Sequence, residues 1–360
     1  MKFDLTALPP DPKILLVRLR SIGDVTLSTA VFPSIKETFP GCKLDFLVMP
    51  PNDELVRHDP HLDEIILLDR GWPALLGLLR KLRKTSYDLV VDLHGGPRSA
   101  WITVFSKAKC RVGLARSRRA RFYNVTVDPV FKGSVPAVRF QARMLELLGF
   151  EVRRETPKIY VNEDERKSIE QKLMKVGVGS EYAVIHPGVD SPHNDWQAEK
   201  FARVADALQG GNGLRVVFAC APSQVRQVDA IAEKMQTPRH SLAGCTSLGE
   251  LAALLQRAKF LLCHNSGPMH MAAAVGTPVF ALFGAVAPDR WVPQVEPHHV
   301  FYKNVECSPC TRVTRKPECF RGDAECKRLI SADEVVLAIR ETMNLDQPPP
   351  SKTQPDGLRA

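Results

Sequence analysis

The stretch ILLVRLRSIGDVT (residues 14–26) contains the first side chains whose types and spacing could do chemistry. An apolar run before a glycine turn is typical of a buried parallel strand, and ligands of open α/β sheets bind beyond the carboxyl ends of such strands. Arg18, Arg20 and Asp24 stand at that point of the chain. Asp24 also begins a predicted helix, where aspartate commonly caps free N–H groups. These residues alone leave both roles open for Asp24, and capping is the commoner one.

A second group of candidate residues opens three predicted helices in the second half of the chain. In HNSGPMHMAAAVGTPVFALFG (264–284), a strand leads into the helix start Ser266-Gly267-Pro268. The N-terminus of such a helix can bind an anion because its N–H groups are free. The segments 186–208 and 219–235 repeat the strand–turn–helix pattern. Three such turns at one sheet edge favour a nucleotide-diphosphate site, although any one of them is also consistent with a well-capped buried helix.

Four cysteines near the C-terminus have a spacing that suits a metal. They follow the pattern C-x2-C-x8-C-x6-C within CSPCTRVTRKPECFRGDAEC, at Cys307, Cys310, Cys319 and Cys326. Four thiolates at short spacing can bind a structural zinc or iron, and the alternative is free thiols in a loop. Most of the other five cysteines lie in or beside apolar runs and are interpreted as small buried hydrophobic residues.

Short apolar runs alternate with amphipathic stretches along both halves of the chain. This alternation predicts βαβ units and parallel sheets. Predicted strands occupy 13–19, 43–49, 64–69 and 87–93 in the first half, and 182–188, 214–222, 259–265 and 277–284 in the second. Neither half has G-x-G-x-x-G after its first strand, which disfavours a dinucleotide-dependent dehydrogenase. We therefore expect two doubly wound, Rossmann-like α/β domains that face each other across a cleft.

The polar segment after the first set of elements marks a boundary between the two halves. We place the first domain at 1–155, a linker at 156–180 and the second domain at 181–345. Residues 346–360 are rich in proline and polar residues, so we expect a disordered tail there.

The composition is that of an ordinary globular chain with an excess of positive charge. The 360 residues are 44% hydrophobic and 25% charged, with a net charge of +9. No apolar run has the length of a membrane span or of a signal-peptide core, so we expect a cytoplasmic protein. The charge would suit nucleic acid, an anionic membrane surface or an acidic substrate. Aromatic residues make up only 7% of the chain and are not interleaved with the basic clusters, which disfavours single-strand binding.

The motifs together resemble glycosyltransferase family 9, the ADP-heptose:lipopolysaccharide heptosyltransferase family. The resemblance covers residues 13–340 and rests on LLVRLRSIGDVTLSTAVFPSIKETFP, DLVVDLHGGPRSA, HPG…W…EKFA and NSGPMHMAAAVGTPVFALFG. It implies a GT-B fold and inverting transfer of a sugar, heptose above all, from a nucleotide-diphosphate donor resembling ADP-heptose. It also implies an acidic lipopolysaccharide-core acceptor at the inner face of the inner membrane, and no cofactor for catalysis beyond the possible structural metal.

The resemblance assigns roles to individual residues. It makes Asp24 the general base, so catalysis becomes the favoured role for this residue. It implies acceptor binding by the first domain through Arg18, Arg20, His94, Arg116 and Arg118, since arginine suits carboxylates and phosphates. It implies donor binding by the second domain, with a contribution from Gly23, through His186, Gly188, Asn194, Gln224, Asn265, Ser266, Gly267, Met269 and His270.

Three positions depart from the family pattern. Asn194, Gln224 and Asn265 stand where family members commonly have lysine, glutamate and aspartate. The three neutral residues favour an alternative, a catalytically weak paralogue that binds nucleotide or glycan without turnover. The intact Gly23-Asp24 pair favours an active enzyme. A nucleic-acid binder is the third hypothesis, although no groove-reading motif supports it.

Overall fold

The computed structural model describes residues 3–345, except for 132–133, 154, 190–194, 211–213, 294 and 311–318. Two parallel six-stranded sheets form the chain, with strand orders β3-β2-β1-β4-β5-β6 and β12-β11-β10-β7-β8-β9. Counted within each half, the two orders are the same, and each reverses direction between its first and fourth strands. This is the doubly wound arrangement, so the predicted fold class of two Rossmann-like domains is confirmed. The predicted tail, 346–360, lies outside the described residues.

The first sheet is built from residues 13–127. Its strands are β1 Lys13–Val17, β2 Lys43–Val48, β3 Glu64–Leu67, β4 Leu89–Asp92, β5 Cys110–Leu114 and β6 Val125–Val127. Its helices are α1 Ile22–Ser28, α2 Phe32–Thr38, α3 Trp72–Thr85, α4 Pro97–Phe105 and α5 Ala137–Glu146. The stretch predicted as one helix after β1 is divided by a short 3-10 turn at Thr29–Val31, and Pro33 lies in the first turn of α2, where a missing N–H costs nothing.

The second half begins with α6 (Glu163–Lys175), which packs against α9. Its strands are β7 Tyr182–His186, β8 Arg215–Phe218, β9 His240–Ser241, β10 Leu261–His264, β11 Val279–Leu282 and β12 His298–Phe301. Its further helices are α7 Ala198–Gln209, α8 Val225–Ala232, α9 Leu248–Arg257, α10 Gly267–Ala274, α11 Glu325–Arg328 and α12 Ala332–Met343.

The core shows why the central strands form as they do. Alternate residues of β1 enter two different apolar clusters: Ile14 and Leu16 face α1 and α2, whereas Leu15 and Val17 face α3 and α4. A strand buried on both sides must be apolar at every position, as this one is. Within the described residues, no helix has the length and apolar character needed to cross a membrane.

Candidate functional site

The two sheets meet where helices α1 and α10 pack against each other. A Cβ atom placed on Gly23 would lie 2.9 Å from Cδ2 of His270, and one on Gly267 would lie 2.7 Å from Cβ of Ile22. Both distances are too short for any side chain, so the two glycines allow the helices to approach this closely. Since α1 follows β1 and α10 follows β10, the contact joins the reversal points of the two sheets, where doubly wound folds bind ligands.

Asp24 lies in the first turn of α1 and is partly open to solvent. Its side chain is 37% exposed and accepts a hydrogen bond from the Ser21 hydroxyl at 3.1 Å. Ser21 is the residue that precedes the helix, and among the described residues no backbone N–H donates to the Asp24 carboxylate. Asp24 is therefore not a side-chain cap, and its carboxylate is available to a ligand in the cleft.

Three further predicted acceptor residues surround Asp24. The Arg18 guanidinium lies 3.9 Å from the Asp24 carboxylate, and Arg18 is buried, whereas Arg20 is exposed. Burial lowers the pKa of Arg18, and the charges of Asp24 and Asp92 oppose that shift. Burial, followed by the Arg18 charge, also lowers the pKa of His94, so this imidazole is neutral at neutral pH.

The His94 turn is held by a carboxylate that sequence reasoning did not single out. Asp92, at the end of β4, accepts hydrogen bonds from the backbone N–H groups of His94 and Gly95 at 2.9 and 2.8 Å. Its other oxygen accepts from the Tyr123 hydroxyl at 2.7 Å. Asp92 is fully buried, so it orients the turn and does not itself reach a ligand.

The basic loop 115–121 borders the same turn. Arg119 donates to the carbonyl oxygen of Gly95 at 3.4 Å, a contact that was not predicted. Arg116 pairs with Asp128 at 2.7 Å and is largely exposed. Arg118 is exposed and makes no recorded hydrogen bond or ion pair with the rest of the described chain. The loop thus places positive charge beside the cleft, although only Arg119 is tied to the His94 turn.

A cavity of 490 Å³ lies at the carboxyl ends of the second sheet. Six of the predicted donor residues line it, together with Ile22 from the first half of the chain. The six are His186, Gly188, Gln224, Asn265, Ser266 and Gly267. The predicted Asn194 lies outside the described residues.

Three other predicted donor residues do not line the cavity. Met269 is fully buried in the apolar core, and Gly23 and His270 lie in the α1–α10 contact. Burial lowers the pKa of His270 to about 4, with the Asp24 charge acting weakly in the opposite direction. His270 therefore stands beside Asp24 as a neutral residue between the two halves.

The turns that line the cavity are shaped for a ligand. A Cβ atom on Gly188 would lie 2.0 Å from the Gln224 side-chain oxygen, so glycine at this position allows Gln224 to lie against the turn. At α10, the Ser266 hydroxyl donates to the His264 carbonyl oxygen and does not cap the helix. Because the first N–H groups of a helix have no intrahelical partner, this end of α10 can bind an anion.

Lys327 is a cavity residue that sequence reasoning missed. It lies on α11, is 4% exposed and is the only lysine or arginine among the described residues that line the cavity. Its ammonium contacts His264 Nδ1 at 2.9 Å and donates to the Leu282 carbonyl oxygen at 2.6 Å. An ammonium has three N–H groups, so these two contacts leave one for a ligand.

Burial sets the charge of this cavity. It lowers the pKa of Lys327 to about 7, of His186 to about 4 and of His264 to about 3, and the Lys327 charge adds to the shift of His264. The histidines are therefore neutral near pH 7, and Lys327 is the group whose charge a bound anion would stabilise. A Cβ atom at Gly284 would lie 3.0 Å from Lys327 Cε, so a larger residue there would press on the Lys327 side chain.

The four-cysteine segment leads directly into Lys327, which follows Cys326 on α11. The described residues do not support a metal site in this segment. All four cysteines are free thiols, and among the described residues no group of three or more His, Cys, Asp or Glu side chains could hold a metal ion. Cys310 Sγ contacts the Ala285 carbonyl oxygen at 3.8 Å, whereas Cys319 Sγ lies 4.0 Å from Asp323. Burial raises the pKa of the Cys310 and Cys326 thiols, whereas at Cys319 burial is outweighed by backbone hydrogen bonds, which lower its pKa. The predicted zinc or iron site is therefore not supported.

The segment after these cysteines is fixed to the second sheet's helices. The Trp196 indole N–H donates to the Ile330 carbonyl oxygen at 2.9 Å, and Lys200 donates to the carbonyl oxygens of Arg328 and Ile330. Trp196 is fully buried in the apolar core of the second half. These contacts fix the position of α11 and hence of Lys327. No periodicity or motif in the sequence marks Lys327, because its role depends on contacts with β10 and β11, which lie far away in the chain.

Comparisons with known proteins agree with this architecture. The family model described as glycosyltransferase family 9 (heptosyltransferase) matches residues 75–320. The lipopolysaccharide heptosyltransferase 3 of Escherichia coli (strain K12) is 29% identical over 352 residues, which cover 92% of this chain and 98% of that protein.

Two solved structures share the fold of the whole chain. A glycosyl transferase family 9 protein from Veillonella parvula has a TM-score of 0.81 at 23% identity and covers 96% of this chain and 99% of its own. The E. coli heptosyltransferase WaaC, solved with ADP, has a TM-score of 0.70 at 19% identity and covers 92% and 99%.

Proposed function

The chain belongs to glycosyltransferase family 9, and from that premise we propose that it transfers heptose from ADP-heptose to a lipopolysaccharide core. The relative named above is a lipopolysaccharide heptosyltransferase, and a neighbouring structure was solved with ADP. One observation carries the proposal for this chain. Helix α1, which bears Asp24, packs on the end of α10 that lines the cavity, and Ile22 of α1 lines the same cavity.

In this proposal the two halves bind different substrates. Residues 1–155 bind the acceptor and residues 181–345 bind the donor, with 156–180 connecting them. The acidic acceptor lies against Arg18, Arg20 and His94, with Arg116 and Arg118 of the basic loop adding positive charge. Forked guanidinium groups suit the carboxylates and phosphates of such an acceptor.

Asp24 acts as the general base of a single displacement. The acceptor hydroxyl oxygen attacks the anomeric carbon of heptose while its proton passes to the Asp24 carboxylate. The bond between that carbon and the diphosphate oxygen breaks, and the bonding electrons leave with ADP. Since attack and departure occur on opposite faces, the anomeric configuration inverts. No metal or organic cofactor has a role in this step.

The cavity of the second half stabilises the departing diphosphate. Its negative charge increases as the bond breaks, and the free N–H groups of α10 and the Lys327 ammonium lie on the cavity wall. Preorganised donors of this kind lower the barrier because they are placed before the charge develops. Lys327 thus supplies a cation in a donor site whose residues Gln224 and Asn265 are neutral.

A transfer assay tests the proposal. Purified protein is incubated with ADP-heptose and a truncated lipopolysaccharide core, and released ADP and the acceptor mass are measured together. We expect equal amounts of ADP and of acceptor carrying one added heptose, with the anomeric configuration inverted by NMR. A retained configuration would refute the single displacement. Thermal stabilisation by ADP-heptose without ADP release would instead support the alternative, a paralogue that binds without turnover.

A further inference from the structure

A cluster of exposed aromatic and basic residues lies on the first half of the chain, outside the cleft. Trp72 is 77% exposed, Trp101 50% and Leu76 49%. A cluster of large apolar side chains exposed to water commonly marks an interaction site. We call this surface the aromatic–basic face and define it as Trp72, Leu76, Arg80, Arg83, Lys84, Trp101, Phe105, Arg121 and Phe122.

Helices α3 and α4 hold this face together on one side of the first sheet. Their inward residues Leu78, Leu82 and Ile102 belong to one apolar cluster. Arg83 on α3 donates to the Phe105 carbonyl oxygen on α4 at 3.0 Å. Arg98 at the start of α4 donates to the Asp69 carbonyl oxygen, just before α3, at 3.2 Å. The two helices are therefore linked near both ends, and their outward residues share one surface.

The aromatic rings of this face pack on one another and on cations. The Trp101 ring lies 5.8 Å from that of Phe105 and 4.8 Å from that of Phe122. The Arg83 guanidinium lies 5.8 Å from the Phe105 ring, and that of Arg121 lies 5.4 Å from the Phe122 ring. Phe105 and Phe122 thus each have a positive charge beside the ring, and Trp101 packs on both. That combination is suited to the boundary between lipid tails and anionic headgroups.

The charge of the two helices is strongly positive. Segments 67–86 and 97–107 contain seven basic residues and a single acidic one, Asp69. Lys81 pairs with Glu64, but Arg80 and Lys84 have no recorded ion-pair partner in the described part of the chain. Along α3 the exposed apolar residues Trp72 and Leu76 come first, and the exposed basic residues Arg80 and Lys84 follow at four-residue spacing. One side of the helix therefore presents apolar and basic side chains together, which suits the interface of an anionic membrane.

We infer that the aromatic–basic face docks on an anionic lipid bilayer. Charge complementarity and half-exposed tryptophans favour this partner over a second copy of the chain, which would carry the same charge. The position of the aromatic–basic face in the fold is consistent with membrane docking. Helix α4 begins at Pro97, directly after the His94–Gly96 turn, so a bilayer on this face would lie beside the acceptor half of the cleft. That last point rests on the proposed function, whereas docking itself does not.

Vesicle sedimentation tests the inference without donor or acceptor. The full chain is mixed with vesicles of phosphatidylcholine alone or with phosphatidylglycerol added, at low and physiological salt. We expect binding to the anionic vesicles only, weakened by salt. Reversing two charges in Arg80→Glu/Lys84→Glu should reduce the partition coefficient by about tenfold or more, since each charge near an anionic surface contributes strongly. The matched control is Lys167→Glu/Lys175→Glu, two exposed lysines on α6, and it should reduce binding less.

Fluorescence quenching by brominated lipid locates the contact. Of the four tryptophans, Trp196 is fully buried and Trp291 packs on His270, with ring centres 5.9 Å apart, away from this face. Quenching that depends on vesicle binding therefore reports mainly on Trp72 and Trp101. Trp72→Phe should keep vesicle binding and lose about half of the quenching, whereas Trp72→Ser should weaken binding. The control Met174→Ser changes an equally prominent apolar side chain on α6 and should leave both readouts unchanged.

Four outcomes would overturn the inference. Equal binding to neutral and anionic vesicles would show that the negative charge of the lipid does not drive binding. Equal losses of binding in the α6 control would show that the aromatic–basic face is not the contact surface. A change of oligomeric state in Trp72→Ser, or salt-sensitive binding of a labelled single-stranded oligonucleotide that competes with vesicles, would assign the face to another partner. Because no turnover is measured, an inactive protein that still binds vesicles would refute the proposed function and leave the docking inference intact.

Discussion

The two halves of the cleft share one strand order but differ in the solvent exposure of their charged side chains. On the first half, Asp24 and Arg20 are open to solvent, and the basic loop 115–121 is largely exposed. On the second half, His264 and Lys327 are almost completely buried. The same backbone architecture therefore carries an open, charged surface on one side of the cleft and an enclosed polar cavity on the other.

This difference separates two ways of binding an anion. Exposed arginines stay charged and hydrated, so they can hold a large acidic acceptor at many points. Burial instead lowers the pKa of the basic groups in the cavity, to about 7 for Lys327 and to about 3 for His264, so His264 is neutral and Lys327 is only partly charged near pH 7. The cavity gains its full positive charge only when an anion enters. The comparison predicts that acceptor binding depends on salt, whereas donor binding depends on pH.

The largest expected effect is on the first half, at Asp24. Asp24→Asn keeps the shape of the side chain but cannot accept the proton, so the transfer rate should fall by about 10²–10⁴. Affinity for ADP-heptose should hold, because the donor site is formed mainly by the second half. Asp229→Asn is the control, since Asp229 is also an exposed helical carboxylate paired with an arginine. Transfer at the wild-type rate by Asp24→Asn would remove Asp24 from the mechanism.

Lys327 is the corresponding test of the second half. Lys327→Gln removes the charge but keeps a donor for the Leu282 carbonyl oxygen, so the Kd for ADP-heptose should rise by about 10–100-fold. Calorimetry measures the Kd, and the melting temperature shows whether the variant is folded. Arg328→Gln is the control, because Arg328 follows Lys327 on the same helix but has an exposed side chain. This variant should bind the donor with the wild-type Kd. An unchanged Kd in a folded Lys327→Gln protein would contradict the proposed role.

The contact between the halves offers a test of stability. Gly267→Ala places a methyl group 2.7 Å from the Ile22 side chain and should reduce the free energy of unfolding by about 1–3 kcal/mol. Gly77→Ala on α3 is the matched control, because no atom lies within 4 Å of its added Cβ. The control should instead gain about 0.5–1 kcal/mol, since alanine favours a helix. Denaturant unfolding measures both, and equal effects would show that the helices can separate without cost.

The smallest expected effect is the pH dependence of donor binding. Lys327 has a lowered pKa of about 7, so below that value it is already protonated in the empty cavity. Above it, binding must take up a proton, and affinity should fall by up to about tenfold per pH unit. The cavity histidines, with pKa values near 4 and 3, stay neutral throughout this window. Titration of wild type and Lys327→Gln between about pH 6 and pH 9 should show the slope only in the wild type.

Local patterns predicted the central elements well and the edges poorly. Apolar runs located β1, β2, β7 and β10, because a central parallel strand is buried on both faces and must be apolar throughout. The strands β5, β6, β9 and β12 were not predicted. They are short or lie toward the sheet edges, so their burial is partial and their pattern is weak. The predicted metal site is not supported by the described residues, since cysteine spacing alone does not fix whether the thiols converge.

The sequence by itself determined that Asp24, His94, His186 and Asn265 lie at strand ends or at the turns and helix starts that follow them, because these are local signals. It could not determine that Asp92 fixes the His94 turn or that Met269 is buried in the core, since both depend on packing. Only the tertiary structure brought Lys327 into the cavity, 63 positions along the chain from its partner His264. Burial and charge are properties of that assembled site, so the pKa of Lys327, and with it the pH dependence of the donor site, was decided by the fold.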